Sequence, residues 1–330
     1  MRTIGLIINP IAGMGGRVGL KGTDGKSILD KAINLGAIKE APNIAIKALQ
    51  KLLPLKDELL ILTSSFEMGE NQCKYLGLNY EVVYESNNLT NSYDTINTAK
   101  IMEERNVDLL IFVGGDGTAR DIYKAVESRV VALGVPAGVK IHSPVYGNTP
   151  ELAGELALMY LRDNNIPIKE EEVIDIDEES YRNNQLDTQL YGYLRIPYKK
   201  ELLQNKKAPT PLGEEASQKA IALDIIDNML EGIYYLIGPG TTTRGIMNEL
   251  DLPYSLLGVD IIKDKNLVGL DCNENNILET IGYKQSKLVI TPTGGQGYLL
   301  GRGNQQISPK VINRIGKDNM IQVSKAYNYI

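Results

Sequence analysis

The sequence predicts an α/β protein in two parts: an N-terminal half built on a parallel sheet with helices on both faces, and a β-rich C-terminal half. Three observations predict it. Over the first 135 residues, short apolar runs alternate with helical patterns, the order that makes a parallel sheet. The period then changes, and Gln189 to Pro197 alternates in twos. The 330 residues also exceed one typical domain.

Residues 3–8 form the first predicted strand, which ends in the glycine-rich stretch Asn9 to Arg17. Ala41 to Leu53 is expected as a helix with Ile44, Ala48 and Leu52 on one stripe. Strands follow at 58–62 and 81–85, then a helix over Asn91 to Glu104 that turns Tyr93, Ile96, Ala99 and Met102 inward. The fourth strand, Asp108 to Val113, runs straight into Gly114-Gly115-Asp116-Gly117-Thr118, and a helical pattern covers Ala119 to Val126. Val130 to Val135 is the fifth strand. Gly138 to Pro150 is turn-rich and Glu151 to Asn164 helical. Glu170 to Glu172, a solvated acidic run, leads into a strand at Val173 to Ile176. The alternating Gln189 to Pro197 suits a half-exposed antiparallel strand. Lys206 to Gly213 is a polar loop tip, and Glu214 to Leu230 an amphipathic helix. From Gly232 onward short strands are separated by glycine loops. The change of pattern puts the domain boundary at 145/146, giving domains 1–145 and 146–330.

Composition excludes several classes. With 43% hydrophobic and 23% charged residues the chain can bury an ordinary globular core. A net charge of −6 argues against nucleic acid, which needs a basic face, but not against nucleotides. Cys73 and Cys272 lie far apart without metal-ligand spacing and are expected as reduced thiols. No apolar run is long enough for a signal peptide or membrane span. These features predict a cytoplasmic protein without a membrane partner.

The Gly-Gly-Asp-Gly-Thr turn concentrates the chemistry. Glycines let the main chain approach a ligand, and the free N–H groups of a helix start favour an anion such as phosphate. Asp116 puts a carboxylate in that anion-ready turn, which suits a hydroxyl proton or a metal ion. Other loops carry glycine, hydroxyls and amides at strand ends: Asn9 to Gly16, Gly138 to Thr149, Gly238 to Arg244 and Thr293 to Gln305. Together the five point to a shared ligand cleft. Thr241, Thr242 and Thr243 can donate to phosphate or ribose oxygens, and Arg244 can neutralise charge; the alternative is a helix cap with a surface arginine. Gly294, Gly295, Gln296 and Asn304 suit a base or carboxamide edge, or form tight turns. His142, the single histidine, has a site role or a loop role, and Lys140 is a second phosphate candidate. Gly25-Lys26-Ser27 is no P-loop, because position 20 is Leu where the first glycine is required. Gly13 to Gly16 is no dinucleotide fingerprint, because position 18 is Val.

Asn9-Pro10 after the first strand, with Gly114-Gly115-Asp116-Gly117-Thr118, resembles the superfamily of NAD kinases, diacylglycerol and sphingosine kinases and 6-phosphofructokinases. Asn9 to Asp24, Gly114 to Asp121, Gly238 to Arg244 and Thr293 to Gln305 resemble its prokaryotic branch of ATP- or polyphosphate-dependent NAD kinases. The resemblance implies a Rossmann-like, NAD kinase-like N-terminal domain and a β-rich C-terminal domain for substrate, with the C-terminal segment packing back on the first. It implies Mg²⁺ with ATP (or polyphosphate) as donor, NAD as acceptor and a homo-oligomer. Asp116 would face the acceptor hydroxyl. Asn9, Pro10, Gly114, Gly115, Gly117 and Thr118 would line the phosphate turn. Gly240, Thr241, Thr242, Thr243, Arg244, Gly294, Gly295, Gln296 and Asn304 would contact nucleotide. Two departures bear on the acceptor. There is no Asn-Glu pair shortly after the turn, and Gly240-Thr241-Thr242-Thr243-Arg244 stands where Gly-Ser-Thr-Ala-Tyr is usual. The alternatives are a related kinase of a lipid, polyol or other small alcohol, and a nucleotide-binding sensor without turnover.

Overall fold

The structure, a computed structural model, describes residues 1–16, 18–20, 26–86, 90–138, 141–163, 165–176, 188–204, 214–292, 299–301 and 303–323. These residues fall into two compact units. The first takes those of 1–14, 38–176 and 188–204, and the second those of 15–37 and 214–323. The expected boundary at 145/146 falls inside the first unit.

The first unit is built on five parallel strands: β1 (Arg2–Ile8), β2 (Leu59–Ser64), β3 (Tyr80–Tyr84), β4 (Leu109–Gly114) and β5 (Ala132–Pro136). Their order is β3-β2-β1-β4-β5. The sheet grows one way from β1 to β3 and the other way from β4 to β5. The direction reverses between β1 and β4, where Ile8 lies opposite Val113. In open α/β sheets this switch point, at the carboxyl ends of the strands, is where ligands bind.

Successive residues of β1 and all six of β4 are buried, so both faces of the sheet are covered. The helices that follow are α1 (Lys26–Asn34, in the second unit), α2 (Ala41–Leu49), α3 (Glu70–Leu76), α4 (Ser92–Glu104), α5 (Asp116–Val126) and α6 (Pro150–Arg162). α2 packs with α6 and α4 with α5, and each pair also meets the sheet. α6 therefore belongs to the first core, which is why that unit outlasts the expected boundary. An antiparallel hairpin, β6 (Ile168–Ile176) with β7 (Thr188–Pro197), packs on α5 and completes it.

Three local expectations change. The acidic run Glu170–Glu172 lies within β6, and Glu171 is turned inward and paired with Lys169. The helix after β4 begins at Asp116, so Asp116, Gly117 and Thr118 form its first turn. Tyr93 is exposed at 73%, while Thr95, Thr98, Ala99 and Met102 of α4 face the core. Tyr93 sits in the first helical turn, where its N–H donates to the Asn91 cap and its ring extends away from the sheet.

The second unit carries a mixed five-stranded sheet of β8 (Tyr234–Ile237), β9 (Asp260–Lys263), β10 (Asn266–Gly269), β11 (Ser286–Ile290) and β12 (Met320–Gln322), in the order β10-β9-β8-β11-β12. β8, β11 and β12 are parallel; β9 and β10 are antiparallel additions. Side chains alternate across it. Leu236, Ile261 and Leu288 pack with Ile277 of α9 (Glu274–Ile281) and Val311 of α10 (Pro309–Ile315). Tyr235, Ile262 and Val289 pack with Ile225 of α7 (Glu214–Asp227) and Ile246 of α8 (Thr241–Glu249). Both cysteines are buried free thiols, Cys73 in the first unit and Cys272 in the second. Burial is the main reason the Cys73 thiol is pushed up to about 12 and that of Cys272 to about 11. Among the described residues no helix is long and apolar enough to cross a membrane.

Asn91 caps α4 through a reciprocal box: its side chain accepts from Tyr93 N at 2.8 Å, and its own N–H donates to Asp94 Oδ2 at 2.8 Å. Asn91→Ala removes one half of that box and should cost about 1 kcal/mol of stability, read by denaturant unfolding.

Candidate active site

Three of the five predicted loops meet at the switch point of the first unit. Asn9 leaves β1 and donates its main-chain N–H to Val113 O of β4 at 2.9 Å. Its side-chain Nδ2 reaches Thr118 Oγ1 at 3.1 Å, tying the first strand end to the first turn of α5. Its carbonyl oxygens hold the next turn, accepting from Ile11 N and Ala12 N, with Pro10 buried between.

The glycines of the turn are required by close approach. A Cβ on Gly114 would stand 2.3 Å from Thr118 Oγ1, and one on Gly115 would stand 3.1 Å from Gly138 Cα of the loop after β5. The Gly114 carbonyl accepts from Ala137 N and Gly138 N at 2.8 and 3.0 Å. Gly115 is the N-cap of α5, and its carbonyl accepts the Tyr146 hydroxyl at 2.6 Å. The Tyr146 ring is fully buried, edge-on to Phe112 with centroids 5.3 Å apart. An aromatic side chain from beyond β5 thus props the turn from below.

Asp116 is the first residue of α5 and is 6% exposed. Its oxygens accept main-chain N–H groups from the turn-rich stretch after β5: Oδ2 from His142 at 2.6 Å and Oδ1 from Ser143 at 3.0 Å. Burial pushes its carboxyl up to about 7, against the hydrogen bonds from Ser143 and His142; the nearby charge of Asp175 pushes the same way as burial. Each oxygen keeps lone-pair capacity for a further donor. The arrangement is a carboxylate poised between its two protonation states, beside the N-terminus of a helix.

Sequence reasoning found Asp116 and its turn but missed what holds them. Ser143 joins Asp116 to β6, because its hydroxyl donates to Ile174 O at 2.7 Å and accepts from Ile174 N at 3.0 Å. His142 contributes its main-chain N–H, a group that no side-chain pattern advertises. Tyr146 gave no signal beyond being an aromatic in a turn-rich stretch. Lys140 lies outside the described residues.

The other predicted loops lie in the second unit. Gly240 caps α8, and Gly240 lies against Thr291 beyond β11. Thr243 spends its hydroxyl on Gly238 O and Gly240 O, and Thr242 is buried. Thr241 is exposed in the first turn, and the Arg244 guanidinium stacks on Tyr254 at 5.4 Å. Asn304 is turned inward, accepting from Gly301 N and donating to Leu299 O, so it shapes its own loop. Gly294, Gly295 and Gln296 lie outside the described residues.

Tyr146→Phe removes one of three donors to the Gly115 carbonyl, the others being Thr118 N and Ala119 N. The carbonyl stays partnered, so the cost should be near the lower end for a buried hydrogen bond, about 1 kcal/mol, measured by calorimetric melting.

Comparison with known proteins identifies a family for both parts of the chain. The model of the ATP-NAD kinase N-terminal domain matches residues 4–164, and that of the ATP-NAD kinase C-terminal domain matches residues 230–326. The search of curated proteins finds no match. One solved structure, provisionally described as a diacylglycerol kinase from Bacillus anthracis str. Sterne, aligns at 12% identity with a TM-score of 0.27. The alignment covers 71% of this chain and 59% of that one, and at that score it carries no structural argument. With both domain models in sequence order, one over each unit's sheet, the chain belongs to the ATP-NAD kinase family, a family of phosphotransferases that act on an alcohol group.

Proposed function

We propose that this protein transfers a phosphoryl group from ATP to the 2′-hydroxyl of the adenosine ribose of NAD, giving NADP. The observation that carries the proposal is Asp116, a buried carboxylate at the switch point whose proton affinity lies near neutrality. The ribose oxygen would form the new bond to the γ-phosphorus as the bond to ADP breaks, and the hydroxyl proton would pass to Asp116. A carboxylate tuned toward the working pH is a better proton acceptor than one near 4. Such a base contributes about 10²–10⁴-fold, and the remainder comes from alignment and charge neutralisation. The main-chain N–H groups of Asp116 and Gly117 at the start of α5, with the Thr118 side chain, are suited to phosphate oxygens.

Mg²⁺ would arrive as part of the donor, held by its phosphates and water. Among the described residues no three carboxylate, thiol or imidazole groups gather as a metal cage. Polyphosphate is the alternative donor. The two free buried thiols suit a reducing compartment, so we place the reaction in the cytoplasm.

The test is a transfer assay with Mg-ATP or polyphosphate against NAD, NADH and small alcohols, read by mass spectrometry. NADP should be the main product. Phosphate appearing on a lipid or polyol instead would replace the acceptor, and no turnover with any acceptor would leave a nucleotide sensor. Asp116→Asn should lower turnover at least about a hundredfold with the fold intact by circular dichroism. Near-normal turnover in that variant would remove Asp116 from the mechanism. Because the ionised form is the base, kcat/KM should fall on the acid side of about 7, the value to which burial pushes Asp116.

A further inference from the structure

We infer that Arg120 and Asp175 are a positioning pair for Asp116, an ion pair behind the carboxylate that holds it in place and balances the charge at its back. The inference rests on the proposed role of Asp116 as the carboxylate that meets the acceptor.

The contacts form a closed circuit. Asp116 opens α5, and Arg120 stands four residues later, on the same face of the helix. Arg120 Nη1 meets Asp175 Oδ2 of β6 at 2.6 Å. The residue before Asp175 is Ile174, whose carbonyl and N–H both bind the Ser143 hydroxyl. Ser143 N closes the loop by donating to Asp116 Oδ1 at 3.0 Å. The loop after β5 thus binds the carboxylate, the hairpin binds that loop through Ser143, and Arg120 ties the hairpin back to the helix that carries Asp116.

The pair has no evident packing purpose of its own. Val173 and Asp175 both point inward from β6, but Val173 fills the core while Asp175 is a carboxylate at 9% exposure. Burying that charge is unfavourable unless a cation meets it, and Arg120 does, braced over the Tyr191 ring at 5.7 Å. Asp121 Oδ1 lies 3.7 Å from Arg120 Nε, so the arginine serves two carboxylates. Among the described residues, the charged and titratable groups around this pair include Asp121 and Tyr123 from α5, His142 and Tyr146 from the stretch after β5, and Tyr191 from β7. Arg120 is the cation of the pair. The Asp175 charge favours the protonated form of Asp116, and a cation paired with Asp175 should act on that carboxyl in the opposite sense.

That opposition gives the test. In the full-length protein, Arg120→Met, Arg120→Lys and Asp175→Asn are compared for the pH dependence of kcat/KM with Mg-ATP and NAD. The titration of the Asp116 carboxyl is followed in parallel by ¹³C NMR, its resonance identified by its loss in Asp116→Asn. Asp175→Asn should move the acid limb and the carboxyl titration to lower pH, and Arg120→Met should move both to higher pH, each by about half a unit or more. kcat should fall at least about tenfold in both, with the KM for ATP changed less than about twofold. Arg120→Lys, which keeps the charge without the planar fork, should restore the wild-type titration while recovering only part of kcat. Shifts of the same sign in the two neutralising variants, or unshifted titrations, would overturn the inference. If Arg120→Met does not fold, the near-isosteric Asp175→Asn alone decides, through the direction of its shift. Should Asp116→Asn retain turnover, the proposed function fails, yet the NMR titration still decides whether the pair governs Asp116.

Discussion

Taking the Asp116 carboxylate out of water is the constraint around which the first unit is arranged. A buried carboxylate without partners is strongly unfavourable, so its surroundings must supply donors. Here they are main-chain N–H groups of His142 and Ser143, from the stretch that follows a different strand. Bringing that stretch to the start of α5 requires the bare Cα of Gly115 against Gly138, Tyr146 beneath the turn, and a hairpin anchored through Ser143. The strand order makes this possible, because β1, β4 and β5 are consecutive neighbours whose carboxyl ends lie side by side.

The second unit repeats the theme in a different key. Again a parallel strand, β8, turns through glycine into a helix. Its hydroxyls and amides are largely turned inward: Thr243 holds Gly238 and Gly240, and Asn304 holds its own loop. Among the described residues of that set, Thr241 is exposed and Arg244 half-buried, with the arginine steadied by Tyr254. Two strand-to-helix turns of similar composition therefore do different work, one confining a charge and the other presenting one.

Most of the first sheet was legible because a strand buried on both faces leaves a continuous apolar run, as Leu109 to Val113 does. Asp116 and Thr118 were legible because glycine on either side of a carboxylate is an uncommon pattern at a strand end. What was not legible has several physical causes. Tyr93 failed as an inward residue because the inward stripe of α4 starts from Asp94 and Thr95, polar residues that a search for apolar period passes over. The acidic run at 170–172 hid a strand because alternation in β6 is carried by Glu171, Val173 and Asp175, two of them charged. The compact first unit runs past 145/146 because α6, which follows a turn-rich stretch, packs on α2, a contact distant in sequence. The partners of Asp116 were invisible because main-chain donors carry no residue signature.

The burial of Asp116 also couples folding to protons. Its carboxyl is raised from an ordinary 3.8 to about 7, so between those values the folded chain holds a proton that the unfolded chain has released. Folding in that window takes up a proton, and this group's contribution to stability declines as pH rises through it, remaining unfavourable above about 7. A cation or a hydroxyl donor that favours the ionised carboxylate must therefore expel a proton when it binds at mildly acid pH. The form of Asp116 able to accept a proton from a hydroxyl is the form that the fold holds least readily.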